Sequence, residues 1–143
     1  MRAQFEIGFS DVDYARVLYF ARYYDYVERA FAAWLHALGL YWRDLHTEWR
    51  VATPIVNSQC RYRGPLRLED HFEVRLELAD LTRRGFRLNF QTVRLHDEFL
   101  VAEGYLDHRF VDPVERRPTE PPEQIMRALE AMAAESAGQF NTK

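Results

Sequence analysis

Residues 53–110 form a succession of strand-like segments separated by short polar turns, and no other feature constrains the fold as strongly. In the clearest segment, the apolar residues from Phe72 to Leu78 alternate with Glu73, Arg75 and Glu77. Such alternation is typical of a strand with one buried face. Strands that follow one another through short turns pair as an antiparallel meander. The chain therefore needs an apolar element that covers one face of an antiparallel sheet.

The same alternation predicts the other strands. One strand is predicted at residues 5–9, and another runs from Thr53 until Gly64 and Pro65 end it. Two more follow the turn at residues 83–85, with residues 96–98 as the turn between them, and the last ends at residues 112–113. Four consecutive strands plus the N-terminal one give a five-stranded sheet.

A long amphipathic helix is predicted to cover the apolar face of this sheet. Its apolar residues recur at helical spacing for about five turns before Gly39, which can adopt the left-handed conformation of a helix cap. These residues are Phe20, Tyr23, Tyr24, Val27, Phe31, Trp34, Leu35 and Leu38. A sheet curved around one long helix is the architecture that this pattern favours, within an α+β fold.

The rest of the chain adds little to this core. Residues 40–50 are predicted to form a loop with room for a short helix. A second helix is predicted at residues 121–138, peripheral to the core because its apolar stripe of Ile125, Leu129 and Met132 is weak. Residues 1–143 are predicted to form a single domain, with a flexible tail at residues 139–143.

Composition excludes several classes of protein. The net charge of −3 does not suggest a nucleic-acid surface, and no apolar run is long enough to span a membrane. The single cysteine, Cys60, fits a reducing compartment, and no secretory signal is evident, so a cytoplasmic location is expected. The five histidines lack metal-ligand spacing, so no metal site is predicted.

Two acidic residues, Asp11 and Asp13, lie in the connection between the first strand and the long helix. Aspartates there commonly cap helices or stabilise turns. A carboxylate beside a helix N-terminus and an apolar wall is also a plausible acyl-transfer site, because free backbone N–H groups can bind a developing oxyanion. From the residues alone, both interpretations stay open.

Three motifs support a resemblance to a known family. They are F-S-D-V-D-Y-A-R-V-L-Y-F at residues 9–20, A-T-P-I-V-N-S at residues 52–58 and L-T-R-R-G-F at residues 81–86. With the order of elements, they resemble the hot-dog fold and, within it, the 4-hydroxybenzoyl-CoA thioesterase family. The resemblance implies hydrolysis of an acyl-CoA without any further cofactor, since coenzyme A is part of the substrate. It also implies a homodimer joined edge to edge with sites at its interface, and leaves open whether dimers pair into tetramers.

The resemblance also implies roles for individual residues. Asp13 corresponds to the catalytic carboxylate, acting as nucleophile or general base, and the backbone N–H of Phe20 would bind the oxyanion. Tyr14 and Arg16 stand where the family has a small or glycine-containing step, so with Tyr19 they are predicted to contact the acyl group. Phe20 resembles the aromatic residue of the hydroxybenzoyl branch, which favours an aromatic acyl group.

Paired arginines are candidate contacts for the phosphates of coenzyme A, because the guanidinium group can contact phosphate through two hydrogen bonds. Arg83 and Arg84 occupy a turn where related sequences carry basic residues. Arg116 and Arg117 follow the last strand and are less specific candidates. Solvated turns are the alternative interpretation of both pairs.

Other functions stay open. A second thioesterase lineage with this fold uses a glutamate on the helix, which makes Glu28 and Asp25 alternative catalysts, although both lie off the apolar stripe. A non-catalytic module that binds an acyl-CoA or an acyl carrier protein would suit the same fold. A hydratase would need an aspartate–histidine signature that the sequence lacks.

Overall fold

A five-stranded antiparallel sheet and one long helix form the centre of the structure, a computed structural model that describes residues 1–140. The sheet has the order β1-β3-β4-β5-β2. Its strands are β1 (Arg2–Glu6), β2 (Ile55–Tyr62), β3 (His71–Ala79), β4 (Gly85–Arg94) and β5 (Phe99–Arg109). The helices are α1 (Arg22–Ala37), α2 (Trp42–Thr47) and α3 (Glu123–Ser136), and a small hairpin consists of β6 (Val111–Asp112) and β7 (Arg117–Pro118).

Helix α1 packs against the apolar face of the sheet, as the sequence predicts. Val27, Ala30 and Phe31 are buried against the alternate residues of β3 and β4. Burying a side chain such as Phe31 contributes about 1.5–3 kcal/mol of transfer free energy. The short helix allowed for within residues 40–50 is α2, and the five predicted strands are all present.

The N-terminal strand lies earlier in the chain than the predicted residues 5–9. β1 ends at Glu6, and residues Phe9–Asp11 form a short 3₁₀ helix in which Phe9 is exposed. The chain leaves the sheet because Ile7 donates its N–H to the carbonyl oxygen of Asp70, at 3.0 Å, and Gly8 donates its N–H to the Asp11 carboxylate, at 2.9 Å. Ile7 is nevertheless buried, and this burial accounts for the misleading alternation.

The prediction that the C-terminal helix is peripheral is wrong. Ile125, Leu129 and Met132 of α3 are buried and belong to the same core as α1. The helix also covers the part of β3 that extends beyond β1, where the Leu78 N–H donates to the Ser136 hydroxyl at 3.0 Å. Gln139, in the predicted flexible tail, accepts a hydrogen bond from the N-terminal amine at 3.0 Å. Residues 141–143 lie outside the described part of the chain.

The two edges of the sheet differ in character. β1 presents the exposed polar side chains of Arg2, Gln4 and Glu6, which discourage pairing with another strand. β2 is exposed along almost its whole length, and its exposed residues include Ile55, Val56 and Tyr62. An apolar free edge of this kind is typical of a surface that a partner covers.

Candidate active site

Asp13 lies in a tight turn that connects the 3₁₀ helix to α1. The backbone N–H of Asp13 donates to the Val17 carbonyl at 3.0 Å, and the Arg16 N–H donates to the Asp13 carbonyl at 2.9 Å. One carboxylate oxygen of Asp13 accepts the Ala15 N–H at 2.8 Å. Asp13 is half-buried, so its carboxylate is held by the backbone and remains accessible to a ligand.

Asp11 anchors the start of this turn, which is the structural one of the two roles that the sequence left open. Its buried carboxylate accepts the Tyr26 hydroxyl at 2.6 Å and the Gly8 N–H at 2.9 Å. Its backbone carbonyl accepts the Tyr19 N–H at 2.9 Å. Burial, followed by the hydrogen bond to Asp11, raises the pKa of Tyr26 to about 12, so the hydroxyl stays a donor at neutral pH. Asp11 thereby ties both ends of the Asp13 turn to α1.

We expect Tyr26→Phe to lower the free energy of unfolding by about 1–3 kcal/mol, because it removes a donor from the buried carboxylate of Asp11. Urea denaturation followed by circular dichroism measures the change. The matched control is Tyr41→Phe, since Tyr41 is exposed and stacks on His36 through its ring rather than its hydroxyl. Equal stability of the two variants would contradict an anchoring role for Tyr26.

Phe20 lies just before the long helix rather than at its first residue, which corrects the sequence prediction. α1 begins at Arg22, whose N–H donates to the Tyr19 carbonyl at 2.8 Å to close a turn over Phe20. No residue within 1–140 accepts a hydrogen bond from the Phe20 N–H. This N–H is therefore a free donor near the positive end of the α1 dipole, where negative charge is stabilised.

The other predicted acyl contacts are exposed. Tyr14 is fully exposed, and Arg16 is exposed with a φ of 65°, at the tip of the Asp13 turn. Tyr19 is partly exposed and packs against the Phe20 ring, with centroids 4.9 Å apart. Asp13, Tyr19 and Phe20 thus share the short segment that precedes α1. Contact of Tyr14, Arg16 or Tyr19 with an acyl group stays a prediction.

The predicted phosphate contacts lie at the opposite end of the sheet. Arg84 and Arg109 line a surface cavity of about 650 Å³ that also includes Arg83, and we call it the arginine cavity. Arg83 forms ion pairs with Glu123 at 2.7 Å and Glu120 at 3.9 Å, so a phosphate would have to compete for it. Arg84 has no acidic partner within the described residues.

Of the second arginine pair, Arg117 forms an ion pair with Glu115, and Arg116 lies in the turn of the β6–β7 hairpin with a φ of 56°. Contact of either residue with coenzyme A stays a prediction. Arg109, which the sequence analysis did not single out, enters the arginine cavity because β5 ends beside the turn that follows β3.

Glu28 is a further candidate whose environment the sequence did not reveal. It is half-buried on α1, and one of its carboxylate oxygens is buried with no hydrogen-bond partner within residues 1–140. Burial raises the pKa of this carboxyl group. A cavity of about 290 Å³ separates it from α2 and the segment before β2, and it is lined by Glu28, Trp42, His46, Val51, Ala52 and Thr53.

An unpartnered buried carboxylate oxygen costs stability unless something else hydrogen-bonds to it. A ligand with a hydroxyl group would suit the Glu28 cavity. The sequence named Glu28 only as an alternative catalyst, and its position off the apolar stripe gave no sign of this burial. Asp25, the other acidic residue named as an alternative catalyst, is exposed, and its carboxylate lies 3.8 Å from the Arg22 guanidinium group.

No described helix is both long enough and apolar enough to cross a membrane. Within residues 1–140, no three histidine, cysteine or acidic residues are grouped as metal ligands.

The chain is similar to known proteins both in sequence and in fold. A family model described as the thioesterase-like superfamily matches residues 7–129. A 1,4-dihydroxy-2-naphthoyl-CoA hydrolase from Synechococcus sp. (strain CC9605) is 33% identical over 130 residues, covering 87% of this chain and 86% of that protein.

Solved structures with similar folds include a 1,4-dihydroxy-2-naphthoyl-CoA thioesterase from Synechocystis. It has a TM-score of 0.83 at 20% identity and covers 90% of this chain and 93% of its own. A gentisyl-coenzyme A thioesterase has a TM-score of 0.78 at 22% identity and covers 90% of this chain and 99% of its own. These neighbours confirm the predicted hot-dog fold. The narrower assignment to the 4-hydroxybenzoyl-CoA thioesterase family stays a prediction.

Proposed function

This chain belongs to the thioesterase-like superfamily, and on that premise we propose that it hydrolyses the thioester of an aromatic acyl-CoA that carries a ring hydroxyl group. The observation that carries the proposal is the segment on which a backbone-held carboxylate, Asp13, and a free N–H, Phe20, lie together before α1. An acyl-transfer reaction needs these two groups, one to start the attack and one to bind the oxyanion.

In the proposed reaction the thioester carbonyl oxygen accepts the Phe20 N–H. Asp13 then either attacks the carbonyl carbon to give a mixed anhydride that water cleaves, or removes a proton from an attacking water molecule. Both routes add one water to the thioester and release the free acid and the thiol of coenzyme A. Because a thiolate leaves readily, neither route calls on a metal or another cofactor.

The hydroxylated aromatic acyl group is supported by the unpartnered oxygen of Glu28 and by the names of the relatives. A ring hydroxyl could donate to this oxygen in a cavity that includes the indole of Trp42. The relatives named above act on 1,4-dihydroxy-2-naphthoyl and gentisyl thioesters, which both carry ring hydroxyl groups.

A single chain does not bring the Asp13 turn together with the Glu28 cavity and the arginine cavity. The Asp13 turn lies at the end of the sheet where β2 finishes, because Val17 pairs with Arg67 and Leu18 with Leu66. The arginine cavity and the Glu28 cavity lie where β2 begins, and Ala52 pairs with Val111 between them. An eight-residue strand spans roughly 26 Å, so the two groups of residues are far apart.

We propose that a homodimer unites them through its β2 edges. Two strands that pair edge to edge about a two-fold axis run antiparallel, so the end of one β2 lies beside the start of the other. The Asp13 turn of one protomer would then face the Glu28 and arginine cavities of its partner. The exposed apolar residues of β2 would be covered in the same contact.

The function is tested by the release of free thiol from a panel of acyl-CoA substrates. The panel contains hydroxylated aryl, unsubstituted benzoyl and short aliphatic thioesters, and we expect the highest kcat/KM for the hydroxylated aryl group. A protein that cleaves none of them would overturn the proposal. Tight binding of an acyl-CoA without turnover would instead identify the non-catalytic binding module.

We expect Glu28→Met to lower the preference for hydroxylated over unsubstituted aryl-CoA by about 10- to 100-fold, the effect of leaving a buried ring hydroxyl without its hydrogen-bond partner. The kcat/KM ratio of the two substrates measures this preference. Glu48→Met serves as the control, because Glu48 is exposed at the end of α2. If Glu28→Met leaves this ratio unchanged, Glu28 does not contact the acyl group.

A further inference from the structure

We infer that Tyr62 is a positioning residue that holds the Phe20 peptide in the orientation needed to bind the thioester oxygen, an inference that rests on the function proposed above. Tyr62 is the last residue of β2, and its hydroxyl donates to the Phe20 carbonyl at 3.1 Å. This hydrogen bond joins the edge strand of the sheet directly to the segment that carries the free N–H.

Apart from the turn that the Arg22 N–H closes with the Tyr19 carbonyl at 2.8 Å, Phe20 has few other restraints. The residues before it are held by two backbone hydrogen bonds, from Leu18 to Leu66 at 2.7 Å and from Tyr19 to Asp11 at 2.9 Å. Phe20 is 59% exposed, so packing contributes little to its position. Among the described residues, the Tyr62 hydroxyl provides the only hydrogen bond to the Phe20 backbone.

Fixing the carbonyl of Phe20 restricts its N–H as well. The two groups belong to rigid peptide planes that are linked by only two soft dihedral angles at the Phe20 Cα. The plane that carries the Phe20 N–H also carries the Tyr19 carbonyl, which accepts the Arg22 N–H at 2.8 Å. Tyr62 holds the next plane, so the direction of the Phe20 N–H is restricted from both sides of the Phe20 Cα. An oxyanion donor is effective only when it already points to the oxygen before the reaction begins.

Tyr62 is itself held in place by aromatic contacts. Its ring packs edge to face against the buried Tyr23 ring, with centroids 5.1 Å apart and an angle of 74°. The Phe20 ring also packs edge to face against the Tyr62 ring, with centroids 6.5 Å apart and an angle of 85° between the ring planes. Burial and the neighbouring Cys60 raise the pKa of Tyr62 above its usual range, so its hydroxyl stays protonated and able to donate.

The first test is a steady-state comparison of Tyr62→Phe with wild-type protein. The variant keeps the ring and its packing and loses only the hydroxyl. We expect kcat to fall roughly 10-fold with little change in KM, because an oxyanion donor acts on the transition state more than on the bound substrate. The control is Tyr105→Phe, a tyrosine on the outer face of β5 whose hydroxyl lies 3.5 Å from the Asn57 amide.

The second test does not depend on turnover. Protein labelled with ¹⁵N-phenylalanine gives one amide resonance for Phe20, which a Phe20→Leu variant assigns. We expect this resonance to shift or broaden in Tyr62→Phe and to stay unchanged in Tyr105→Phe. An unmoved Phe20 resonance, or a kcat that Tyr62→Phe leaves intact in an active enzyme, would overturn the inference. If wild-type protein cleaved no thioester, the proposed function would fail and the Phe20 resonance would still decide whether Tyr62 positions this peptide.

Discussion

Replacing Asp13 with asparagine is expected to lower kcat/KM for aryl-CoA hydrolysis by about 10²- to 10⁴-fold, the usual contribution of a positioned acid–base group. Asparagine has nearly the same shape, and its oxygen can still accept the Ala15 N–H that holds the turn. It can neither attack the thioester nor take a proton from water. The rate of thiol release measures the loss, and circular dichroism checks that the fold is retained.

Asp25→Asn is the matched control for this experiment. Asp25 is an exposed carboxylate in the first turn of α1 and lies 3.8 Å from Arg22. Its replacement is expected to change kcat/KM by less than about twofold, since exposed ion pairs contribute little. An Asp13→Asn protein as active as Asp25→Asn would exclude Asp13 from the chemistry and make Glu28 the next carboxylate to test.

The main elements of the fold could be predicted because their periodicity is local. The alternation in β3 and the helical stripe of α1 are both visible in short windows of sequence. The position of α3 was not visible in this way, because its burial depends on the apolar surface that the sheet and α1 leave uncovered. The stripe of Ile125, Leu129 and Met132 looks weak alone and lies fully inside the core.

The residues of the candidate site show the same difference between local patterns and contacts with distant residues. Asp13 and Phe20 could be proposed from the sequence because they belong to a motif within one short segment. Glu28 and Tyr62 could not, since each acquires its environment from residues distant in sequence. Glu28 is enclosed by α2 and the segment before β2, and Tyr62 reaches Phe20 across 42 residues. Contacts of this kind leave no local pattern in the sequence.

A site shared between two protomers leads to the second large effect, the recovery of activity when two impaired variants form one dimer. One variant is Asp13→Asn, and the other is Arg84→Glu/Arg109→Glu, which reverses the charge of the arginine cavity. Each homodimer has a defect in both of its sites. In the heterodimer, one site collects every substitution and the other has wild-type residues throughout, so about half of the activity of a wild-type dimer should return.

The heterodimer is obtained by co-expressing the two variants with different affinity tags and purifying on both tags in turn. Two differently tagged copies of Asp13→Asn provide the control, which should stay inactive. If Asp13 and the arginine cavity served the same site within one chain, every site of the heterodimer would carry a defect, and no activity would return. Recovery would therefore require a dimer that brings Asp13 of one protomer to the arginines of the other, as pairing of the β2 edges would, and light scattering should detect this dimer in the wild-type protein.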